Sequence, residues 1–415
     1  MLAPFDPDQS HARQNVDGDL RDRRFLIVTA PFGRFGRVLA QALERRGATV
    51  GRMIFNAGDA ASWRRAGGVP FREGANLWPE RVVELSRRYT DIIVFGEGGP
   101  YNQGVLSQVE RLGVAVWVLE NGYFRPDWVT VERNGVNASS GLPRQAEGYA
   151  SPPSLPVTRP IGKILPHHVL NISLYHLVQA LGRPFYPRFR SPYSVPAWLQ
   201  FLGHVGRYFS LAFQSTRQLD AEVIGARGPF FIACLQREGD AQLLRYSRFA
   251  DNASFLAEVM DNFACHAPGD HRLVVKNHPL DPGLVNLAAV TRRLAAARGL
   301  TGRVDFIDGG NLAQLCRASS GMVVNNSSAA LSALGFHTPV KVLGQAFFDF
   351  EGLTDQQPLD TFWGSPVPAD RALFARFRAH VIARSQINGN YHEPRAMVWT
   401  ASAIADVFAR AATRD

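Results

Sequence analysis

The sequence lacks the features that mark secreted and membrane-spanning proteins. Its 415 residues include only three cysteines, Cys234, Cys265 and Cys316. They are far apart and odd in number, so we expect no disulfide framework, and a reducing cytoplasm suits the chain better. No apolar run reaches the roughly 20 residues that span a bilayer. The polar N-terminus, MLAPFDPDQSHARQNVDGDLRDRR, also lacks the basic flank and apolar centre of a secretory signal.

The motifs of common cofactors and metals are missing as well. The sequence contains no G-x-G-x-x-G turn, no P-loop and no G-x-S-x-G nucleophile elbow. No histidine or cysteine pair with zinc spacing has a matching second pair. The acid-x-acid pairs Asp6/Asp8 and Asp17/Asp19 lie in the polar tail, which is a poor place for a metal site. We therefore expect neither a bound metal ion nor a cofactor.

What the sequence does contain is a basic charge and enough apolar residues for a sizeable core. The 45 lysines and arginines outnumber the 36 acidic residues, which gives a net charge of +9. Such a charge predicts an anionic partner, namely nucleic acid, an anionic membrane or a phosphorylated substrate. The basic residues are scattered and form no recognised nucleic-acid module, so we do not expect nucleic acid as the partner.

Two series of alternating strands and helices predict an α/β fold with two Rossmann-like domains facing a cleft. The first series contains RFLIVTA, DIIVFG and VAVWVLE, and the second contains GPFFIACLQ, HRLVVKNHP, RVDFID and GMVVNNSS. Near-continuous apolar strands of this kind are typical of parallel sheets that are covered on both faces. Two such halves correspond to the GT-B-like architecture of many nucleotide-sugar transferases.

The chain divides into five predicted segments. They are a flexible tail at 1–22, an acceptor-side domain at 23–150, a linker with a helical basic and aromatic part at 151–225, a nucleotide-sugar domain at 226–384, and a C-terminal helix packing back on the core at 385–415. The proline-rich stretch LPRQAEGYASPPSLPVTRP marks the first interdomain boundary. Residues 161–215 show no clean amphipathic stripe, so they fit either a membrane-facing surface or an interdomain helical layer.

Polar side chains follow four of the predicted strands, at the edge where α/β sheets bind ligands. They are Glu120 and Asn121; Gln236, Glu238 and Asp240; Lys276, Asn277, His278 and Pro279; and Asn325, Asn326, Ser327 and Ser328. Serines at a helix start form an anion site, and nearby cations would add donors for a phosphate. Each group also has an ordinary explanation as a turn, a helix cap or a strand terminator. Their joint occurrence at strand ends favours a binding site.

Longer stretches of the chain resemble the capsule polysaccharide biosynthesis proteins of the KpsS/LipB type. The most specific stretch is ENGYFRPDWVTVERNGVNASS at 120–140. It is followed, in the family's order, by LQREGDAQ, VVKNHPLDPG, VVNNSSAALSAL, LGQAFFDFEGLTD, FWGSP and SQINGNY. The resemblance implies a retaining β-Kdo transferase that uses CMP-Kdo and starts the poly-Kdo linker of a capsular polysaccharide on lysophosphatidylglycerol or a related lipid.

The same resemblance implies a place and partners for the protein. The place is the cytoplasm, peripheral on the inner face of the cytoplasmic membrane. The partners it implies are the CMP-Kdo donor, the lipid acceptor and other capsule biosynthesis proteins. An anionic membrane surface is expected as a further partner from the basic charge and the aromatic residues of 161–215.

The resemblance also implies roles for the strand-end residues. Those assigned to CMP and the donor are Gln236, Lys276, His278, Pro279, Asn326, Ser327 and Ser328. Retention by double displacement needs a carboxylate nucleophile, for which Asp240 is the choice and Glu238 the rival. Glu120 is the candidate base for the acceptor hydroxyl, and His278 is expected to stabilise the leaving phosphate. Asn121, Arg125 and Glu238 are candidates for binding the acceptor or the sugar.

Two other functions remain open from the sequence. The first is a transferase that adds Kdo or another CMP-linked sugar to a glycan acceptor. The second is a non-catalytic capsule assembly protein that retains the fold. The four intact strand-end groups count against the second alternative, whereas only the acceptor separates the first from the lipid-acceptor hypothesis.

Overall fold

The protein contains two sheets with helices packed on both faces, which confirms the predicted α/β fold with two Rossmann-like halves. The computed structural model describes residues 19–192, 221–279 and 281–413, with Trp198, Leu199, Gly203 and Gly206. Most of the predicted tail at 1–22 lies outside the described residues. Leu20 is buried, and its backbone N–H donates to the Arg46 carbonyl at 2.9 Å. The packed part of the chain therefore begins before residue 23.

The N-terminal sheet has seven strands. They are β1 (Arg24–Ile27), β2 (Thr49–Ile54), β3 (Gly68–Pro70), β4 (Asp91–Phe95), β5 (Ala115–Asn121), β6 (Trp128–Arg133) and β12 (Gln386–Asn388). Their order is β12-β6-β5-β4-β1-β2-β3, parallel from β5 to β3. Strand β6 runs antiparallel to both β5 and β12. Strands β2, β3, β6 and β12 lie outside the strand-like runs identified in the sequence.

The C-terminal sheet has five parallel strands. They are β7 (Phe230–Cys234), β8 (Arg272–Lys276), β9 (Val304–Ile307), β10 (Gly321–Val324) and β11 (Val340–Val342). Their order is β11-β10-β7-β8-β9, so the first strand of this half is central. Every residue of β7 and β10 is buried, as expected for strands with helices on both faces.

Helices connect the strands and cover both sheets. Those around the N-terminal sheet are α1 (Phe35–Glu44), α2 (Ala57–Trp63), α3 (Trp78–Ser86), α4 (Pro100–Leu106), α5 (Val109–Leu112), α6 (Ile164–Leu181) and α15 (Pro394–Ala412). Those around the C-terminal sheet are α7 (Ala221–Gly225), α8 (Ala241–Arg245), α9 (Asn252–His266), α10 (Leu287–Ala297), α11 (Leu312–Ala318), α12 (Ala330–Gly335), α13 (Leu359–Phe362) and α14 (Arg371–Ser385).

The segment predicted as helical at 161–215 is described only in part. Helix α6 covers its first third and packs against α2, whereas most of 193–220 lies outside the described residues. Within the described part of the chain, no helix has both the length and the hydropathy needed to cross a membrane.

The last segment of the chain belongs to the first sheet. Strand β12 pairs with β6, and α15 packs against α1. On this helix, the fully buried Phe408 stacks on Phe25 with ring centroids 5.5 Å apart and lies 4.5 Å from the Trp117 ring. Apolar packing of this kind shows that α15 is part of the N-terminal core and not an appendage.

Replacing Phe408 with alanine should therefore destabilise the whole N-terminal domain. We expect a loss of about 3–5 kcal/mol in the free energy of unfolding, because the change removes buried rings and leaves a cavity. Urea titration followed by tryptophan fluorescence measures it. Val398→Ala on the same helix is the matched control, since Val398 is 50% exposed. Equal stability of the two variants would contradict the packing.

Candidate active site

The carboxyl ends of the two sheets meet through the loops that follow their strands. Gln242, in α8 after β7, donates from Nε2 to Glu97 Oε2 at 3.1 Å and accepts the Ala138 N–H at 3.4 Å. The hydroxyls of Ser139 and Tyr246 are also hydrogen bonded to each other. Glu97 follows β4, whereas Ala138 and Ser139 follow β6. The loops of both sheets therefore form one polar cleft at the edge where such sheets bind ligands.

Glu120 lies on the N-terminal side of this cleft, near the end of β5. The Asn121 N–H donates to Glu120 Oε1 at 3.0 Å. Loss of solvent raises the pKa of Glu120 to about 7, and the charges of Asp240 and Glu97 act in the same direction. The Asn121 N–H and the Arg125 charge oppose this shift. A carboxyl with a pKa near neutrality is suited to act as a general base.

The position of Glu120 depends on a glycine at the end of the neighbouring strand. Gly96 has a φ of +72°, in the left-handed region that favours glycine. A Cβ at this position would lie only 3.0 Å from Glu120 Oε2. The glycine therefore lets the Glu120 carboxylate lie directly against the end of β4.

Asp240 reaches the same cleft from the C-terminal sheet. It caps α8, where its Oδ1 accepts the Gln242 N–H at 2.8 Å. Loss of solvent raises the pKa of Asp240, against the Gln242 N–H and the charges of Arg237 and Arg125. The Arg125 charge thus opposes the rise in the pKa of both Asp240 and Glu120.

Glu238, two residues before Asp240, has different surroundings. Its Oε2 accepts from Asn252 Nδ2 at 2.7 Å, and its N–H donates to Asp281 Oδ2 at 3.2 Å. Loss of solvent raises the pKa of Glu238, and the charges of Asp251 and Asp281 add to this. This geometry favours Asp240 over Glu238 as the carboxylate that faces Glu120.

Glu97 lies at the cleft but was not among the candidates predicted from the sequence. It is buried and accepts the Val136 N–H at 2.8 Å as well as the Gln242 amide. Its signal in the sequence was the same as that of Glu120, an acid directly beyond a buried strand, in VFGEGGP. A third carboxylate therefore lies within electrostatic reach of Glu120.

Gln236 is buried beneath the cleft and pairs with protein groups. Its Nε2 donates to Asn326 Oδ1 at 2.7 Å, and its Oε1 accepts from Asn325 Nδ2 at 3.0 Å. Asn326 in turn donates to the carbonyls of Gln242 and Tyr246, at 2.9 and 3.1 Å. Gln236 and Asn326 thus connect the loops after β7 and β10. Because the Gln236 side chain is used in these bonds, it would influence a bound donor indirectly, by holding the two loops in place.

The loop after β8 places His278 at the carboxyl edge of the sheet. The buried Lys276 ends β8 and donates from Nζ to the Gly309 carbonyl at 2.5 Å. Asn277 Oδ1 accepts the His278 N–H at 2.9 Å, which turns the chain before the exposed Pro279. His278 is partly buried, so its imidazole is at the surface of the sheet edge and not in the core.

Ser327 and Ser328 precede α12, and both are partly exposed. Ser327 Oγ accepts the Ala329 N–H at 3.3 Å, which is a local turn. Within the described residues, the Ser328 hydroxyl has no hydrogen-bond partner. Ser328 is therefore the better placed of the two to meet a ligand.

The remaining acceptor candidates lie after β5. Asn121 and Arg125 are both exposed, and Arg125 Nε donates to the Gly122 carbonyl at 3.3 Å. Asn121 uses its N–H for Glu120 and its carbonyl for the Thr130 hydroxyl, at 3.2 Å. The Asn121 side chain has no hydrogen-bond partner among the described residues.

Part of the stretch 120–140 has a structural role below the cleft. Buried Glu132 accepts from the Tyr123 hydroxyl at 2.8 Å and from the Ser140 hydroxyl. Loss of solvent raises the pKa of Glu132 to about 7. The Tyr123 hydroxyl also accepts the Asn137 N–H at 2.7 Å. This network holds the loop after β6 in the shape that brings Ala138 and Ser139 to the cleft.

The arrangement combines carboxylates from opposite sheets with arginines, an imidazole and an open hydroxyl. Such a set can bind an anionic substrate, supply a nucleophile and accept a proton. Among the described residues, no group of three or more histidines, cysteines or acids is placed to hold a metal ion.

Several known proteins are similar in sequence to this chain. The family model described as "Capsule polysaccharide biosynthesis protein" matches residues 90–392. The chain is 34% identical to the capsule polysaccharide modification protein LipB of Neisseria meningitidis serogroup A, over 88% of this chain and 91% of that protein. It is 29% identical to the capsule polysaccharide export protein KpsS of Escherichia coli, over 90% and 98%. A solved structure of the Thermosulfurimonas dismutans KpsC β-Kdo 2,7 transferase is similar at 14% identity and a TM-score of 0.41, over 86% and 99%.

Replacing Gln236 with alanine should lower stability. The change leaves the Asn325 amide and the Asn326 carbonyl without their partner, which costs about 2–4 kcal/mol in the free energy of unfolding. Denaturant titration measures it, and Gln41→Ala on the exposed face of α1 is the control. A variant of unchanged stability that no longer binds CMP would show instead that the Gln236 side chain contacts the donor.

Proposed function

Because the chain belongs to the capsule polysaccharide biosynthesis protein family, we propose that it is a glycosyltransferase that moves Kdo from CMP-Kdo to lysophosphatidylglycerol. The product starts the poly-Kdo linker of a capsular polysaccharide, with retention of configuration. The donor and the acceptor are those that the motif resemblance implies. Membership of the family supports a role in capsule synthesis, and the site supports the chemistry.

One observation carries the proposal: Glu120 and Asp240 reach a single cleft from opposite sheets. Glu120 lies against Gly96, and Asp240 caps the helix whose Gln242 donates to the adjacent Glu97 at 3.1 Å. A retaining transferase needs one carboxylate as a nucleophile and a second group as a base. Arg125 and Arg237 supply positive charge for a donor that carries a carboxylate and a phosphate.

The first displacement uses Asp240 as the nucleophile. A carboxylate oxygen of Asp240 bonds to the anomeric carbon of Kdo while the bond from that carbon to the phosphate oxygen breaks. CMP leaves with the electron pair. His278 and the hydroxyls of Ser327 and Ser328, which follow β8 and β10 on either side of β7, would stabilise the charge on the phosphate. Pro279 fixes the turn that follows His278, and Lys276 adds positive charge below it.

The second displacement uses Glu120 as the base. The acceptor hydroxyl oxygen attacks the anomeric carbon, its proton passes to Glu120, and Asp240 is released as a free carboxylate. Two inversions at the same carbon retain the configuration. Asn121 and Arg125, which are exposed beside Glu120, would contact the acceptor or the sugar.

The same proposal places the enzyme on the inner face of the cytoplasmic membrane as a peripheral protein. Its lipid acceptor resides there, and a net charge of +9 favours an anionic surface. Other capsule biosynthesis proteins would take up the product at the same surface. Neither a metal ion nor a cofactor enters the proposed reaction.

Incubation of the purified protein with CMP-Kdo and a panel of acceptors tests the function. We expect CMP release and a Kdo adduct on lysophosphatidylglycerol by mass spectrometry. Transfer to glycan acceptors alone would favour the alternative transferase, and neither CMP release nor transfer would favour a non-catalytic assembly role.

The pair Asp240→Asn and Glu238→Gln distinguishes the two candidate nucleophiles. Asp240→Asn should lower turnover by about 10³-fold or more while CMP still binds, because the amide cannot form the glycosyl intermediate. Intact-protein mass spectrometry should show a Kdo adduct on the wild type and on Glu238→Gln but not on Asp240→Asn. An adduct lost only in Glu238→Gln would transfer the role to Glu238.

The rate of transfer should rise with pH through about 7, because Glu120 must lose its proton before it can act as a base. Glu120→Gln should lose about 10²–10⁴-fold in kcat/KM, and its kcat/KM should no longer rise with pH through about 7. The measurement is kcat/KM against pH, with CMP affinity as the control. A variant with the wild-type rate and the same rise of kcat/KM with pH would show that Glu120 has no part in catalysis.

A further inference from the structure

Helix α6 presents an apolar face to the outside of the molecule. Its outward-facing leucines and valine are between 50% and 73% exposed, and Phe185, just beyond the helix, is 71% exposed. These outward residues are Leu165, Val169, Leu170, Leu174, Leu177 and Leu181. Over its 18 residues, ILPHHVLNISLYHLVQAL, the helix contains no lysine, arginine, aspartate or glutamate. We call the six residues and Phe185 the α6 face.

The opposite side of α6 attaches the helix to the N-terminal domain through polar groups. The Tyr175 hydroxyl donates to Asp59 Oδ1 at 3.1 Å and accepts from Asn56 Nδ2 at 2.9 Å. His168 is hydrogen bonded to His392 at 2.9 Å. Because these contacts are made away from the α6 face, the apolar side chains are not needed to hold the helix in place.

The attachment places α6 at the same edge of the sheet as the active site. The Tyr175 ring lies 4.8 Å from Phe32, which follows β1, and Asn56 follows β2. Glu120 is at the carboxyl end of β5, parallel to both strands. A surface that touches the α6 face would therefore lie beside the edge where the acceptor enters.

The charged residues of the chain segment that contains α6 all have one sign. From Gly148 to Leu219 the sequence contains seven arginines and lysines and no aspartate or glutamate. In the described part of this stretch, Lys163 lies just before the helix and Arg183 and Arg188 just after it, and all three are exposed. An exposed apolar helix with cations at both ends matches an anionic lipid surface, where the cations meet head groups and the leucines meet acyl chains.

We propose that the α6 face is the surface with which the protein docks on an anionic bilayer. The helix lies in the plane of the interface and does not cross the membrane. This inference extends the proposed function, since a lipid acceptor resides in such a bilayer. It can fail separately, because vesicle binding is measured without donor or turnover. A second copy of the chain is a poorer partner for this face, because two copies would bring the same cations together.

Sedimentation with lipid vesicles tests the proposal. The probes are vesicles of phosphatidylcholine alone and vesicles with about 30% phosphatidylglycerol. We expect the wild type to bind the anionic vesicles and to release at high salt, since the surface attraction is screened. Leu174→Glu/Leu177→Glu should weaken binding by about tenfold or more, because two side chains lose their place in the acyl region.

The control is Val367→Glu, which places a carboxylate on an apolar residue that is 50% exposed outside α6. It should bind like the wild type, and thermal melting should show that all variants are folded. Arg183→Gln/Arg188→Gln is the second variant, and it should weaken binding to anionic vesicles and reduce the salt dependence. CMP release from CMP-Kdo should be unchanged in all of them.

Three results would overturn the proposal. The first is a wild type that binds neither kind of vesicle. The second is equal binding of the wild type and Leu174→Glu/Leu177→Glu, which would place the membrane contact elsewhere. The third is a change of oligomeric state in that variant, seen by light scattering, with vesicle binding intact. That result would identify the α6 face as an interface between protein chains.

Discussion

The relative position of the Glu120 and Asp240 carboxylates depends in part on Glu97, a buried side chain that bonds to both halves of the molecule. One of its oxygens accepts the Val136 N–H beyond β6, and the other accepts the Gln242 amide beyond β7. A carboxylate with two oxygens can accept from two directions at once. Glu97 therefore connects the loop that contains Asp240 to the sheet that contains Glu120, and the Ala138–Gln242 and Ser139–Tyr246 hydrogen bonds join the same loops.

The same contact gives the cleft its electrostatic character. Glu97, Glu120 and Asp240 lie near one another, and each added negative charge makes the next one harder to form. Arg125 and Arg237 oppose this, so acids and cations are interleaved in one small volume. An anionic donor would neutralise these cations. The acids would then hold their protons more tightly, because less positive charge would oppose the rise in their pKa values. Proton affinity in this cleft is thus coupled to its occupancy, which is a property of the whole group and not of one residue.

The sequence predicted strands best where a continuous apolar run identifies the strand without reference to a distant partner. The apolar runs of β4, β5, β7, β8 and β10 are continuous, and all of them are strands. Strand β2 was missed because TVGRMI contains Arg52, whose burial is made possible by Asp59 at 3.0 Å and the Val28 carbonyl at 2.7 Å. Strand β12 is three residues long and pairs with a strand far away in the sequence, which no local pattern reveals.

The positions of polar residues just after predicted strands indicated which residues lie near the carboxyl edges of the sheets. They did not indicate what each residue does there. Glu120 and Asp240 have the same chemistry as Glu132 and Glu238, and only their neighbours distinguish them. Gln236 is an example of the same limit. An amide beyond a strand can line a site or connect two loops, and the choice depends on Asn325 and Asn326, about ninety positions further along the chain.

The first and the last described elements of the chain belong to one domain, because β12 and α15 complete the sheet that begins with β1. The C-terminal sheet and the helices that cover it are complete by Ser385, so this half can fold before β12 and α15 have been made. The N-terminal sheet must wait, with the Phe25 face uncovered, until Phe408 is available. The half that is synthesised first is therefore the last to be completed. A premature stop within β12 or α15 would damage the beginning of the protein and leave the middle folded.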